Sequence, residues 1–270
     1  MRAKIRMITS HIDKHNERVS LSALQDLVGL INKQYTPMGV EHDPRIPPVG
    51  RVLSAYLEEL EDGEFAVDGI AEIFEEGEEI EFRDDGREIP VGELSDRLRI
   101  SPDRSFRNSD DQQLLEEMRA LIDGELVPQI KKSVEPISLM ILAASFAAGG
   151  IASGFLNKIG EDAWDLFKAK LIGLMNRKEQ QNKERLLAFE FTVHQDDHLL
   201  YLETILANPT ESDINKFLEE GLRRLDESTP RFFKRRHYLT KVVFEYKGDQ
   251  LRVIFGLRKD GVPISVDLDK

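Results

Sequence analysis

Ala3, Ile5 and Met7 alternate with Lys4 and Arg6, which predicts a first strand over residues 2–12. The period then changes. Leu21, Leu24, Leu27, Val28 and Ile31 have helical spacing, with Ser20 or Ser22 suited to cap the helix. A stiff, proline-rich stretch follows, TPMGVEHDPRIPPVGRV, and it separates this helix from two strands predicted over 49–57 and 64–74. Glu61-Asp62-Gly63 between those strands is a turn signal, so the pair reads as a hairpin. A short strand over 78–83 and a short helix over 91–98 come next. Leu114, Leu115, Met118, Leu121, Ile122 and Leu126 then mark a helix over 110–130, capped by Ser109 or Asp110.

Residues 136–156, PISLMILAASFAAGGIASGFL, contain no charge. As one helix, about 21 residues at ~1.5 Å each would nearly match a ~30 Å hydrocarbon core. Three readings compete: a transmembrane helix, a buried helix or hairpin broken at Gly149-Gly150, and a helix shielded until activation. Ala143, Ala147, Gly150 and Gly154 have the small-residue spacing of close helix packing. In each reading Ile137, Leu139, Ile141, Leu142, Phe146, Ile151 and Phe155 face lipid or a packing partner. Ile159, Ala163, Leu166, Phe167, Leu171 and Leu174 continue as an amphipathic helix, so about 40 residues are expected to act as one element.

Strands over 186–193 and 199–206, a helix over 213–227 capped by Thr210 or Ser212, and a hairpin of 241–246 with 250–256 complete the pattern. The expected class is α+β. It has a β-rich N-terminal domain (1–108), a helical middle with the central apolar helix (109–182), and a C-terminal α/β sandwich-like domain with an antiparallel sheet (183–270).

Charge changes this picture in one place. The formal net charge of −13 is concentrated in residues 57–96, where 17 acidic residues face only Arg83 and Arg87. The first domain is therefore not expected to bind nucleic acid. The absence of cysteine excludes disulfides, thiolate metal sites and a cysteine nucleophile. It fits a cytoplasmic or inner-membrane-associated protein, and the N-terminus has no apolar run of signal-peptide length.

The distinctive motif is Gly39–Val52, GVEHDPRIPPVGRV. With TSHIDKHNERVSLSAL before it and LEDGEFAVDG after it, the first 75 residues or so resemble the prohead serine proteases that mature phage capsids. The resemblance implies a protease-like β-rich domain with His42 as the catalytic histidine and Asp43 following it. The family's serine lies about fifty residues on, so Ser101 or Ser105 would have to serve, without the family's glycine-rich context. Pro102 also removes a backbone N–H that an oxyanion hole could use.

Other groups point less far. His11, Asp13 and His15 have strand-like spacing, but a metal site would need further ligands, and none is assigned. His194 and His198 flank a turn. Arg231-Phe-Phe-Lys-Arg-Arg-His-Tyr interleaves basic and aromatic residues and reads mainly as a helix-to-strand connection. Nucleotide-loop, dinucleotide, zincin and nucleophile-elbow motifs are absent, and no cofactor is expected. Three functions follow. The first is a membrane-associated or oligomer-forming protein whose protease-like domain recognises a protein or peptide, in the manner of a bacterial or phage conflict system. The second is an active serine endopeptidase, and the third is a soluble homo-oligomeric scaffold.

Overall fold

The computed structural model describes residues 1–12, 16, 18–40, 43–75, 77, 79–90, 94–95, 97–129, 137–179, 184–234 and 239–266. The chain forms two compact units. One comprises Met1–Pro90 with Leu257–Pro263, the other Val91–Gly256 with Ile264–Lys270, in place of the boundaries near 108 and 182 that the sequence pattern predicts.

In the first unit, β1 (Arg2–Thr9) leads to α1 (Leu21–Lys33), β2 (Thr36–Met38), β3 (Gly50–Glu59) and β4 (Phe65–Ile73). The strands form an antiparallel sheet in the order β1-β4-β3-β2. Ser20 caps α1 by accepting a hydrogen bond from the Ala23 amide. Leu24 and Ile31, seven residues apart on one helix face, pack on Val52, Ala55 and Val67. Asn32 fixes the helix to β3 by exchanging two hydrogen bonds with the Ala55 backbone, of 2.8 and 2.9 Å. Residues 79–83, expected to be a strand, lie outside regular structure. Part of the short helix expected over 91–98 falls outside the described residues.

Asp68 on β4 is buried beneath two cations of β1, Arg6 (Nε 2.8 Å) and Lys4 (Nζ 3.0 Å). Arg6 above all, with Lys4, outweighs the cost of burial and holds the Asp68 carboxyl far below its ordinary value. A depressed acid stabilises the fold above its unfolded value of about 3.9, and that contribution is lost as pH falls towards the folded value. The urea midpoint of the wild-type first unit should therefore drop below roughly pH 4, and Asp68→Asn should flatten that limb. An unchanged acid limb in Asp68→Asn would refute this.

The second unit contains β5 (Arg99–Pro102), α2 (Ser109–Leu121), β6 (Glu125–Leu126), β7 (Ile137–Ala147), α3 (Ile151–Ile159) and α4 (Glu161–Glu179). It continues with β8 (Glu184–Gln195), β9 (His198–Ala207), α5 (Glu211–Lys216), a π-helical turn (Phe217–Gly221) and α6 (Leu222–Phe233). Last come β10 (Leu239–Lys247), β11 (Gln250–Arg258) and β12 (Pro263–Ile264), of which Leu257, Arg258 and Pro263 are counted with the first unit. The sheet order is β12-β11-β10-β9-β8-β7-β5-β6.

The central apolar helix is not there. Residues 137–147 are a strand, held parallel to β8 from Ile137↔Glu184 to Ala147↔His194 and antiparallel to β5. Gly149, at φ +81°, turns the chain, and α3 follows. A strand buried on both faces reads as an unbroken apolar run, which is why its composition imitates a membrane span. Leu142 and Phe146 join Ile151 and Phe155 in the core, Leu139 and Ile141 are buried, and Ile137 is half-buried. The long element of about 40 residues is broken again at Gly160, φ +84°, before α4. No helix among the described residues is long and apolar enough to cross a membrane.

The C-terminal sheet is mixed rather than antiparallel. β8 and β9 are an antiparallel hairpin, but β9 and β10 run parallel because α5 and α6 carry the chain back between them. Phe155 of α3 and Phe217 before α6 both meet Phe189, at 5.8 and 4.6 Å, so both crossovers lie on one face of the sheet. The two parallel pairs point in opposite directions yet step the same way across the sheet. One crossover is therefore right-handed, and the other has the rarer opposite hand.

Candidate functional site

His42 and Glu41 lie outside the described residues. Asp43 is committed to Arg45, accepting from its backbone N–H (2.9 Å), Nε (2.9 Å) and Nη2 (2.6 Å). Burial alone would raise the Asp43 carboxyl, but the Arg45 contacts outweigh it and hold it below its ordinary value. Ser101 is buried in β5 opposite Ile141, and its carbonyl accepts from Gln129 Nε2 at 2.9 Å. Ser105 lies in a 3-10 turn with its N–H on Asp103 (2.8 Å) and its carbonyl on Lys178 Nζ (2.6 Å). Its hydroxyl is buried without a hydrogen-bond partner among the described residues. No described histidine hydrogen-bonds either serine. Asp13 and His15 are outside the described residues, His11 pairs with Asp62 at 2.7 Å, and no metal-holding cluster occurs among the described residues.

The sheet of the second unit presents polar side chains on the face opposite its helices. Register sets Glu190 of β8 directly opposite Glu203 of β9, and Thr192 opposite Tyr201, which in turn faces Lys241 of β10. Facing carboxylates repel, so the pair needs compensation. Lys241 Nζ lies 2.6 Å from Glu203 and 5.0 Å from the centre of the Tyr201 ring. Burial pushes the Tyr201 phenol well above its ordinary value, and Glu190 and Glu203 push it further. Burial opposes the Lys241 charge, yet the two carboxylates outweigh it and raise its pKa. Near neutral pH the tyrosine is thus a neutral donor and the lysine a cation. The cluster supplies neither a nucleophilic amine nor a phenolate base.

A different chemistry gathers between α6 and β11. Arg224, Glu227, Ser228 and Arg231 follow the i, i+3, i+4, i+7 spacing of one helix face. With Gln250, Leu251, Arg252 and Val253 of β11, and Ser265 and Val266, they line an open cavity of about 690 Å³. Arg224 donates to the Asp249 carbonyl and pairs with Glu220 at 3.1 Å, and Arg252 reaches Glu245 at 3.4 Å. Glu227 is held by Arg223 at 3.3 Å, and Ser228 donates back into its own helix. Of the three arginines that line the cavity, Arg224 and Arg252 thus each have a carboxylate partner, Glu220 and Glu245. No protein-family model, curated protein or solved structure matches this chain.

The π-helical turn before α6 has a local cause. A Cβ on Gly221 would lie 2.4 Å from the Phe217 ring, so only glycine lets Phe217 pack there against Phe189 and Tyr246. On the same helix, Asp226 accepts the Ile151 and Ala152 amides at 3.0 and 2.8 Å. The start of α3, a natural anion site, already holds a carboxylate. Sequence reading singled out Arg231 but not Arg224 or Arg252. The helical spacing of Arg224 and Arg231 was legible, whereas their meeting with β11 was not.

Proposed function

We propose that the protein is a binding module rather than a hydrolase, and that the cavity between α6 and β11 takes an anionic ligand. The observation that carries this reading is that Arg224, Arg231 and Arg252 all line one open cavity. Guanidinium groups present planar, multiple donors suited to carboxylate and phosphate oxygens. The buried settings of Ser101 and Ser105, and the commitment of Asp43 to Arg45, favour recognition over peptide cleavage. The likeness of the first 75 residues to prohead proteases then stands for a recognition fold, in keeping with a role in a bacterial or phage conflict system.

Inorganic pyrophosphate is a sufficient probe. Calorimetric titration should detect binding that weakens about tenfold or more in Arg224→Gln/Arg252→Gln, as expected when charge-assisted hydrogen bonds are lost. Equal affinity in wild type and double variant would overturn the reading. So would cleavage of a peptide library that disappears in Ser101→Ala or Ser105→Ala.

A further inference from the structure

Residues 79–90 of the first unit belong to no helix or strand, and a piece of chain far along the sequence holds them. That piece, Leu257–Pro263, is a tight turn. The Arg258 amide donates to the Val262 carbonyl at 3.0 Å and the Gly261 amide to the Arg258 carbonyl at 2.9 Å, with Gly261 at φ +82°. Arg258 donates to the carbonyls of Ile80 and Glu81 at 2.9 and 3.2 Å. Asp260 accepts the Arg83 amide at 3.0 Å, and the Lys259 carbonyl accepts the Ile89 amide at 2.7 Å. Lys259 also pairs with Glu88 at 2.7 Å.

The ties from these two segments to the sheet are polar. Arg51 of β3 meets the Asp260 carboxylate and carbonyl, Arg83 pairs with Glu72 of β4 at 2.9 Å, and Arg87 donates to the Leu53 carbonyl at 2.6 Å. Just before β2, the Tyr35 amide donates to the Glu88 carbonyl at 3.2 Å and its hydroxyl to Asp85 at 2.7 Å. Arg51 and Val52 are neighbours on a strand and so point to opposite faces. The core that α1 makes with the sheet, of Leu24, Ile31, Val52, Ala55 and Val67, contains no residue of either segment. Ile89, Leu257 and Val262 are their buried apolar side chains.

We infer that residues 79–90 and Leu257–Pro263 form one strap that unlatches as a piece while the sheet and α1 stay folded, with Asp260 as the latch. Irregular backbone held by side chains, with few buried apolar contacts, opens at a lower free energy than a packed core. Unlatching also returns the buried charges of Arg51 and Asp260 to water, which recovers hydration lost on burial. It uncovers Tyr35, which is fully buried with the guanidinium groups of Arg51 and Arg87 at 5.0 and 4.4 Å from its ring centre. The open form thus presents an arginine and an aromatic ring that the closed form hides.

Native-state hydrogen exchange on the full chain tests this. The amides of Tyr35, Arg83 and Ile89, whose acceptors change partner on unlatching, should exchange at least tenfold faster than the amides of β3 and β4. Arg258→Gln removes the contacts to Ile80 and Glu81 and should speed those three amides about tenfold further, leaving β3 and β4 unchanged. Asp260→Asn should have the same pattern and a larger effect. If the three amides exchange at the rate of β3 and β4 in the wild type, or if Arg258→Gln speeds both sets equally, the first unit opens as one block and the strap is wrong. If Arg83 responds to Arg258→Gln and Ile89 does not, the two segments do not move together, and the inference also falls.

Discussion

Asp260→Ala is expected to destabilise the first unit by about 3–5 kcal/mol, the range for removing one partner of a buried ion pair. Arg51 and Asp260 are both fully buried. Arg51 Nη1 lies 2.7 Å from the Asp260 carboxylate and donates to its carbonyl at 2.7 Å, while Nε and Nη2 hold Glu72 at 2.8 and 2.7 Å. Asp260 also accepts from Arg258 (2.9 and 2.7 Å) and from the Arg83 amide (3.0 Å). Burial alone would raise its carboxyl, but Arg258, the Arg83 amide and Arg51 outweigh that and keep it low. Its stabilising contribution is therefore present above the unfolded value near 4 and lost as pH falls through the folded one. Alanine leaves a fully buried guanidinium with Glu72 as its remaining carboxylate. Chemical denaturation, followed by a probe in the first unit, measures the effect. A loss below about 1 kcal/mol would mean that the network adds little beyond packing.

The second large effect is expected at Lys178. This buried side chain near the end of α4 pairs with Asp111 in the first turn of α2, donates to the Ser105 carbonyl, and lies 4.7 Å from the centre of the Phe106 ring. Asp111 is buried too, with Arg177 at 3.6 Å as its other cation and with Asn108, the α2 cap, donating to it. Lys178→Met leaves that carboxylate underpaired and should cost about 3 kcal/mol or more. Asp111→Leu/Lys178→Met removes both charges and should recover most of the loss, giving a coupling energy well above 1 kcal/mol in a double-mutant cycle. Additive losses would show that the two side chains act separately. Both pairs join segments far apart in the chain, and neither is marked by spacing or composition.

What could be read from the residues alone was local. Leu24 and Ile31 on α1, the cap at Ser20, the Asp62-Gly63 hairpin and the strands either side of Asp196 all depend on neighbours within a few residues. Thr210 was legible as a cap for the same reason. The apolar run over 136–156 was not, because a strand buried on both faces and a membrane helix share a composition. Pairing with β5 and β8 decides between them, and those partners lie about 40 residues before the strand and nearly 50 after it. The direction of β10 likewise depends on the return of α5 and α6.

By itself, then, the sequence determined an α+β chain, most of its helices and strands, and the concentration of negative charge in residues 57–96. Tertiary structure alone decided that the apolar segment is a sheet strand followed by a short helix, that the sheet is mixed, and that Arg224, Arg231 and Arg252 line one cavity. The physical reason is range. Caps, turns and periodicity act over one or two turns of chain, whereas strand register and the meeting of a helix face with a sheet edge are set by packing between distant segments.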